Sequence, residues 1–282
     1  MHKIVVHPGS AHRDDFLSAA VLLSILESAE VFRREPTADD LADLNTYVLD
    51  VGMIHDPSRH NFDHHQDSSL PCAFHLLMQH LGYHEDALKI FGWYGHMSMM
   101  DVRGPYKTAE HLGIDSNVLF AASSPLDGYI LSRFSRVTEL LSGDPLHALM
   151  KDLGHELIEL IASKKERLQR LRTESELVPL QGRYKALVSR IAQNPKLAME
   201  IYLREMQDVD VVMSITPSVR GAGWELLRLG DHPAVDFRRL PEHEDIRFVH
   251  ANGFIAKTWT LLPLEKVVPL AVTAVVADAG GT

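Results

Sequence analysis

One cysteine, Cys72, is the whole thiol content of this 282-residue chain. No disulfide can close within it, and no zinc site built from several thiolates is available. Long apolar runs are missing too. A bilayer crossing takes about 20 consecutive apolar residues, and the best candidate stretch, Val267 to Ala277, is interrupted by Pro269 and Thr273. Cationic charge is short: 28 Lys and Arg stand against 38 Asp and Glu, a net charge of −10. Composition therefore offers no basic face of the kind that grips duplex nucleic acid by its phosphates. The opening MHKIVVHP turns polar too soon for a secretory signal. These absences set the expectation of a soluble, cytoplasmic protein with no membrane segment and no disulfide partner. A hydrophobic fraction of 45% still provides for sizeable cores, at this length most naturally two.

Histidine is locally abundant: 12 of the 17 histidines lie between His2 and His111, which puts the chemistry in the first domain. Four short segments there end an apolar run on a metal-type side chain: His7 to Asp14 (HPGSAHRD), Asp50 (YVLD), Asp63-His64-His65 (DHH) and Asp101 (MMD). Imidazole and carboxylate hold Mn, Fe, Co or Zn without thiolate, and two such ions can clamp the attacking and leaving oxygens of a phosphoryl transfer. An acidic chain is no obstacle, because divalent ions bring positive charge to the point where a phosphate must sit. Singly, each segment has a plain structural explanation. Histidine pairs are common on surfaces and in cores, Asp50 precedes Gly52 as a turn former would, and Asp14-Asp15 suit the first turn of a helix. Their succession at strand and helix ends is poorly explained by packing, and one dinuclear site is the expectation.

The apolar pattern supplies the frame. Lys3 to Val6 reads as a strand and Pro8-Gly9-Ser10 as a turn; from near Arg13, Phe16, Ala19, Ala20, Leu23 and Leu26 trace one helical face. Further strands are predicted over Glu30–Arg34 and Thr46–Val51, with a short helix around Asp40-Leu41 between them. Such alternation predicts a parallel sheet with helices on both faces. Ligands of these sheets gather beyond the carboxyl ends of the strands, where His7 and Asp50 fall. Helices are predicted from Pro71 to Met100 with breaks near Gly82 and Gly92, and Arg103-Gly104-Pro105 is expected to stop the pattern after Asp101. The seam Leu146, Met150, Leu153, Leu157, Leu160, Ile161, Leu168 and Leu171 predicts a long helix joining the domains, with KKERLQRLR as its solvated face. Beyond Val178 the strand candidates are Val209–Ile215, Arg247–Val249 and Phe254–Ala256. The expected fold class is α/β. Residues 1–175 form a parallel-sheet metal-binding catalytic domain that includes the connecting helix, and residues 176–282 form a smaller α/β domain that binds substrate.

Within the site, His7 and His12 flank a tight turn that aims both imidazoles at one point, and Asp14 follows in the first helical turn. Asp50 has two oxygens with which to bridge both ions. Asp63 and His64 add a ligand and its support, and Asp101 closes the second ion's shell.

HPGSAHRDDFLSAAVL, followed by YVLDVGMIHDPSRHNFDHHQ, resembles the signature of the melanocyte proliferating gene family of metal-dependent hydrolases. That family is related to the DHH phosphoesterase superfamily, with its RecJ-type exonucleases and manganese-dependent inorganic pyrophosphatases. The resemblance is densest over residues 1–67, and a shorter one covers Phe248 to Thr258 (FVHANGFIAKT). It implies a DHH-type N-terminal domain in which His7, His12 and Asp50 hold one ion and Asp14, Asp50, His64 and Asp101 hold the other. His65 and Asp63 take the catalytic role, with His65 turned toward substrate. Histidine at position 12 follows the melanocyte-type family, where many superfamily relatives carry Asp. Departures at Met53-Ile54-His55 and Ala256-Lys257-Thr258 bear on substrate identity. A smaller C-terminal domain that supplies phosphate-binding groups is also implied, with Arg220, Arg238, Arg239, Arg247, His250 and Lys257 as candidates. Arg103 and Lys107 follow Asp101 as further anion-steering candidates.

The activity so implied is phosphoester hydrolysis by an ion-bound hydroxide. Two divalent ions are expected, Mn²⁺ first, with Mg²⁺, Co²⁺ or Fe²⁺ as alternatives. The first substrate is single-stranded RNA or a short oligoribonucleotide, shortened 3′–5′. Two alternatives stay open: a phosphatase or pyrophosphatase acting on a small phosphorylated metabolite, and a non-catalytic metal-binding regulatory protein.

Overall fold

The computed structural model describes residues 1–122, 124–191, 196–208, 210–240 and 244–276. They form two compact units, Met1–Ala162 and Ser163–Thr282.

The first unit is built on a six-stranded sheet. Its chain runs β1 (His2–Val6), α1 (Arg13–Ile25), β2 (Ala29–Arg33), α2 (Ala38–Ala42), β3 (Thr46–Leu49), β4 (His55–Asp56) and β5 (Asn61–Phe62). There follow α3 (Ala73–His80), α4 (His84–Ile90), α5 (Tyr94–Leu112), α6 (Ser116–Ala121), α7 (Pro125–Phe134) and β6 (Glu139–Leu140). The strand order is β4-β5-β3-β1-β2-β6. β5, β3, β1 and β2 are parallel, while β4 and β6 close the edges antiparallel. The parallel sheet expected from the βαβ pattern is therefore present. Ile4, Val5 and Val6 are fully buried because the central strand of such a sheet is covered on both faces.

Register gathers the site. Val6 pairs with Leu49, and Leu49 with Phe62. The next residue of each strand is His7, Asp50 or Asp63, so three side chains of the predicted site leave one edge of the sheet at the same level. The order reverses at β1, from which the chain goes to β2 on one side and β3 on the other; this is the switch point where open α/β sheets bind ligands.

Two local expectations are corrected. β3 ends at Leu49 rather than Val51, because Asp50 turns into the left-handed region at φ 59°. Arg103-Gly104-Pro105 does not stop the helix: α5 continues to Leu112 with a kink at Gly104, whose φ is 77°. Proline at the first position of a helical segment forfeits no hydrogen bond that the helix would otherwise make, so Pro105 restarts the helix after the glycine.

The helix α8 (Pro145–Glu174) passes through the boundary between the units. Beyond it come β7 (Ser175–Pro179), β8 (Lys185–Ser189), α9 (Lys196–Met206), β9 (Val211–Pro217), β10 (Trp224–Arg228), β11 (Ile246–Val249), β12 (Ile255–Thr258) and α10 (Leu264–Thr273). Their sheet has the order β11-β12-β10-β9-β8-β7, with β8 and β9 parallel and the other pairs antiparallel. Its core gathers Met213, Ile215, Trp224, Leu226, Ala256, Val267 and Ala271. Trp224 satisfies its buried indole N–H by donating to the Leu262 carbonyl at 2.8 Å. The expected strands near residues 211, 247 and 255 are all found, although Val209 lies outside the described residues. β7, β8 and β10 are strands that the sequence pattern does not announce. Among the described residues, no helix is long and apolar enough to cross a membrane.

In the first unit, α8 touches α1 closely enough that a Cβ built at Gly154 would run into the Ala20 carbonyl. Gly154→Ala is expected to destabilise the protein by about 1–3 kcal/mol through overpacking, read from urea denaturation. Gly128→Ala, in α7 where a Cβ meets open space, is the control. It is expected to be neutral or to stabilise by up to about 1 kcal/mol.

Candidate metal centre

Each element delivers its candidate ligand for a local reason. The ligand loop begins at His7, directly after the buried Val6, and closes at His12, the residue before α1. Asp14 and Asp15 stand in the first turn of α1, where the helix dipole favours carboxylates. Asp50 holds a left-handed backbone, tolerable for aspartate but costly for most residues, as ligand-presenting positions often are. Asp101 comes from α5. That helix is tied to the start of α3 one and two turns earlier: the Cys72 N–H donates to Ser98 Oγ, and His75 Nε2 donates to the Tyr94 carbonyl, both at 3.0 Å. Burial pushes the His75 imidazole down to about 4, against the pull of that carbonyl and with His84 adding to the depression, so His75 is a neutral donor at physiological pH.

These segments converge. His7, His12 and Asp50 form one group able to hold a metal ion, and Asp14, Asp50, His64 and Asp101 form a second, the ligand atoms of each lying within 4.8 Å of one another. Asp50 belongs to both. A third group joins Asp50 and His64 to His65. His64 Nε2 lies 3.1 Å from both Asp50 Oδ1 and Asp101 Oδ2, and His12 Nδ1 lies 3.7 Å from Asp101 Oδ1. His7 Nδ1 donates to the Pro8 carbonyl at 2.8 Å. That directs Nε2 into the cluster, 3.5 Å from Asp50 Oδ2.

Asp63 has a different part. It is 1% exposed, and its oxygens accept from the backbone N–H groups of Met53 (2.6 Å), His64 (2.7 Å) and His65 (3.1 Å). It also accepts from His65 Nδ1 at 2.7 Å, while the His65 ring is half exposed. Burial would raise the Asp63 carboxyl, but the hydrogen bond from His65 and those from the backbone hold it below its usual range. Asp63 thus orients His65 through Nδ1 and leaves Nε2 outside that hydrogen bond.

The electrostatics ask for a cation. Asp14 is buried with neither oxygen hydrogen-bonded, and His7 Nε2 is likewise buried without a hydrogen-bond partner. The Asp14 carboxyl is raised well above its ordinary value, by burial first and then by the charges of Asp50, Asp101 and Asp15. Burial alone would depress the His64 imidazole, yet hydrogen bonds to Asp101 and Asp50 carry it up to about 10. A buried carboxylate with no donor is unfavourable unless a charge compensates it. An all-nitrogen-and-oxygen donor set suits Mn²⁺, Mg²⁺, Fe²⁺ or Co²⁺, so the residues present fit divalent ions.

The remaining sequence candidates lie elsewhere. Arg103 is exposed on α5, two residues past Asp101. His250 and Lys257 are in the second unit. His250 Nδ1 accepts from the Asn252 N–H at 3.1 Å, and Lys257 is paired with Glu225 at 2.8 Å on the wall of an open cleft of about 920 Å³. Arg238 is engaged by Asp236 at 2.7 Å, and Arg247 donates to the Arg220 carbonyl at 3.1 Å. Two residues escape sequence reading, Asp15 and Arg33. Both are buried, and Asp15 Oδ2 lies 3.2 Å from His7 Nε2 and 3.4 Å from Arg33 Nη2. A buried Asp in a helix's first turn looks like a dipole partner, and only the fold brings Arg33 to it.

The orphaned Asp14 yields a test. With its folded value raised above the unfolded one, its protonated form contributes stability at low pH, and that contribution is lost as pH rises. In metal-free protein, Asp14→Asn is expected to match wild type near pH 4 and to exceed it by about 1–3 kcal/mol at pH 8, since it removes a buried, unpaired charge. If the site binds Mn²⁺, a hundredfold excess of the ion over Kd is expected to stabilise the wild type by about 2.7 kcal/mol. The variant is expected to lose most of that gain. Chemical denaturation at the two pH values, with and without the ion, measures all of this.

Residues 3–74 match the MYG1 exonuclease family model, described as an uncharacterised protein family, UPF0160. A protein of Bos taurus named MYG1 exonuclease is 41% identical over 69 residues, which make up 23% of this chain and 17% of that protein. The match therefore spans only a small part of the relative's length. Among solved structures, the DHH domain of a member of a ribosomal-protein family is 11% identical, aligned over 96% of this chain and 85% of that one with a TM-score of 0.32. RecJ from Thermus thermophilus, in complex with Mn²⁺, is 18% identical over 96% of this chain and 51% of that one, with a TM-score of 0.31. The resemblance read in HPGSAHRDD and DHHQ is borne out where the sequence carries it, since both segments fall within residues 3–74, which match the MYG1 exonuclease family model.

Proposed function

We propose that this protein is a metal-dependent phosphoesterase whose first substrate is single-stranded RNA or a short oligoribonucleotide, shortened 3′–5′. One observation carries the reading. Two ligand groups sharing Asp50 meet at the carboxyl edge of a parallel sheet, beside a histidine held outward. The sequence match to a family whose bovine member is named an exonuclease supports the choice of substrate.

His7, His12 and Asp50 would hold one ion, and Asp14, Asp50, His64 and Asp101 the other, with Mn²⁺ preferred. Ions so held supply Lewis acidity at the phosphoryl group and bring water within reach of ionisation near neutral pH. The chain's residues do the rest. Asp63 fixes His65 by accepting from Nδ1, and with the ring protonated on both nitrogens its Nε2–H would donate to a phosphate oxygen or pass its proton to the leaving oxygen, leaving neutral imidazole. Arg103 lies near enough in sequence to Asp101 to steer an anion. In this reading residues 1–175 form the catalytic domain and residues 176–282 the substrate-binding domain, with His250 and Lys257 as its candidate contacts; the cytoplasm, where one cysteine stays reduced, is its compartment.

The net charge of −10 favours a second reading. A phosphatase or pyrophosphatase acting on a small phosphorylated metabolite needs no basic track for a strand.

A 5′-labelled 12-mer RNA incubated with Mn²⁺ is expected to give a ladder shortened from its 3′ end. An intact 12-mer, together with phosphate release from a nucleoside bisphosphate or pyrophosphate, would move the assignment to the metabolite reading. Turnover of neither substrate with any divalent ion sinks the enzymatic reading and leaves a metal-binding regulator. Asp50→Asn is expected to abolish the ion-dependent activity. His65→Asn is expected to lower kcat about 10²–10⁴-fold with Mn²⁺ affinity within about threefold of wild type, because that ring works on substrate.

A further inference from the structure

Arg33, at the end of β2, is 3% exposed. A guanidinium taken out of water needs partners for its donors. Nη2 donates to the carbonyls of His7 at 3.0 Å and Ser10 at 3.4 Å, and Nη1 to the carbonyl of Phe134 at 2.8 Å. The guanidinium also lies 4.5 Å from the centre of the Phe134 ring, which itself packs edge-on against Phe16 of α1. Asp15 completes the arrangement. Its Oδ2 faces Arg33 at 3.4 Å and His7 Nε2 at 3.2 Å, while Oδ1 accepts the His12 N–H at 2.9 Å.

The two side chains therefore grip three backbone groups of one short loop: the carbonyls of His7 and Ser10 and the N–H of His12. Those groups lie at both ends of the loop that carries His7 and His12. A buried Arg–Asp pair gives little net stability, because desolvation offsets the attraction. What this one supplies is shape. Without it, the small residues between His7 and His12 leave the two imidazoles free to splay.

We propose that Arg33 and Asp15 are positioning residues that fix the His7–His12 loop and so set the affinity of the ion held by His7, His12 and Asp50. Arg33 directs its hydrogen bonds to the loop, Asp15 and Phe134, and none to Asp14, His64 or Asp101, the ligands of the other ion. This rests on the dinuclear reading of the site. It predicts a selective effect: support around a metal ligand is typically worth 10–100-fold in affinity, and here only one of the two ions should lose it.

Calorimetric titration of the metal-free full chain with Mn²⁺ makes the test, with near-UV circular dichroism as the check on folding. Wild type is expected to bind two ions. Arg33→Met is expected to weaken one binding event about 10–100-fold and leave the other within about threefold. Arg33→Lys should fall between, because one ammonium cannot serve three carbonyls in fixed directions. Should Arg33→Met fail to fold, Arg33→Met/Asp15→Asn carries the same measurement, since it removes the pair together and leaves no unpaired buried charge. Unchanged affinities, equal weakening of both ions, or loss of fold in all three variants overturns the proposal, because the pair is then irrelevant to the loop or simply structural. A wild type that binds fewer than two ions instead overturns the dinuclear reading itself.

Discussion

Four aspartates, Asp14, Asp15, Asp50 and Asp63, are withdrawn from water at one end of a single parallel sheet, each no more than 2% exposed. Like charges packed so closely cannot all ionise without compensation, and the chain treats each differently. Asp63 is compensated by three backbone N–H groups and His65. Asp15 has the His12 N–H and Arg33. Asp50 has His64. Asp14 has no hydrogen-bond donor for either oxygen. This gradation runs from fully satisfied to orphaned, and it separates the carboxylates that support other residues from those left available to a cation.

Sheet register is what allows the crowding. Since β1, β3 and β5 are parallel and in step, the residue after each strand emerges at the same height. A one-residue slip would turn every side chain of the slipped strand to the opposite face. Asp50 adds a strained step: its left-handed backbone leaves the strand direction immediately after the buried Leu49. The cost is of order 1–3 kcal/mol, and the burial of Val48 and Leu49 on either side of the sheet holds the strand that presents it. Core packing thus keeps one residue in a conformation it would not adopt alone.

The parts of this arrangement legible in the sequence are those set by short-range rules. The Ile-Val-Val run, the Pro-Gly-Ser turn and the helical spacing from Phe16 onward locate β1, the ligand loop and α1 to within a residue. His7 and Asp50 are found at strand ends because apolar runs stop there. Illegible are the features that exist only through partners distant in the chain. β4 and β5 are two residues each and owe their existence to pairing with each other and to the pairing of β5 with β3. Gly104-Pro105 reads as a stop in one dimension, yet the chain on both sides is helical and the pair makes a kink. Asp15 has a local explanation that hides its non-local one, Arg33, 18 residues away. In the second unit, β8 and β10 carry Leu187, Val188 and Leu226 inside, but neighbouring charged residues obscure the alternation.

The acidic net charge and the proposed phosphate chemistry fit together once charge is followed locally. Arg33, beside the ligand loop, is turned inward to Asp15 and backbone carbonyls. Arg13, next to His12 in the chain, is paired with Asp127 at 2.6 Å. With Arg33 and Arg13 so engaged, ions held by the carboxylates would supply most of the attraction for an anion, with exposed Arg103, two residues past Asp101, adding to it. In the proposed reading, affinity for phosphate would follow metal occupancy, and the metal-free site with its clustered carboxylates would disfavour an anion. Such coupling would make the loaded state the one that engages phosphate. It would also explain how an orphaned Asp14 is compatible with a folded protein: its unfavourable burial in the metal-free state would be relieved on ion binding, and that relief would add to the affinity for the ion.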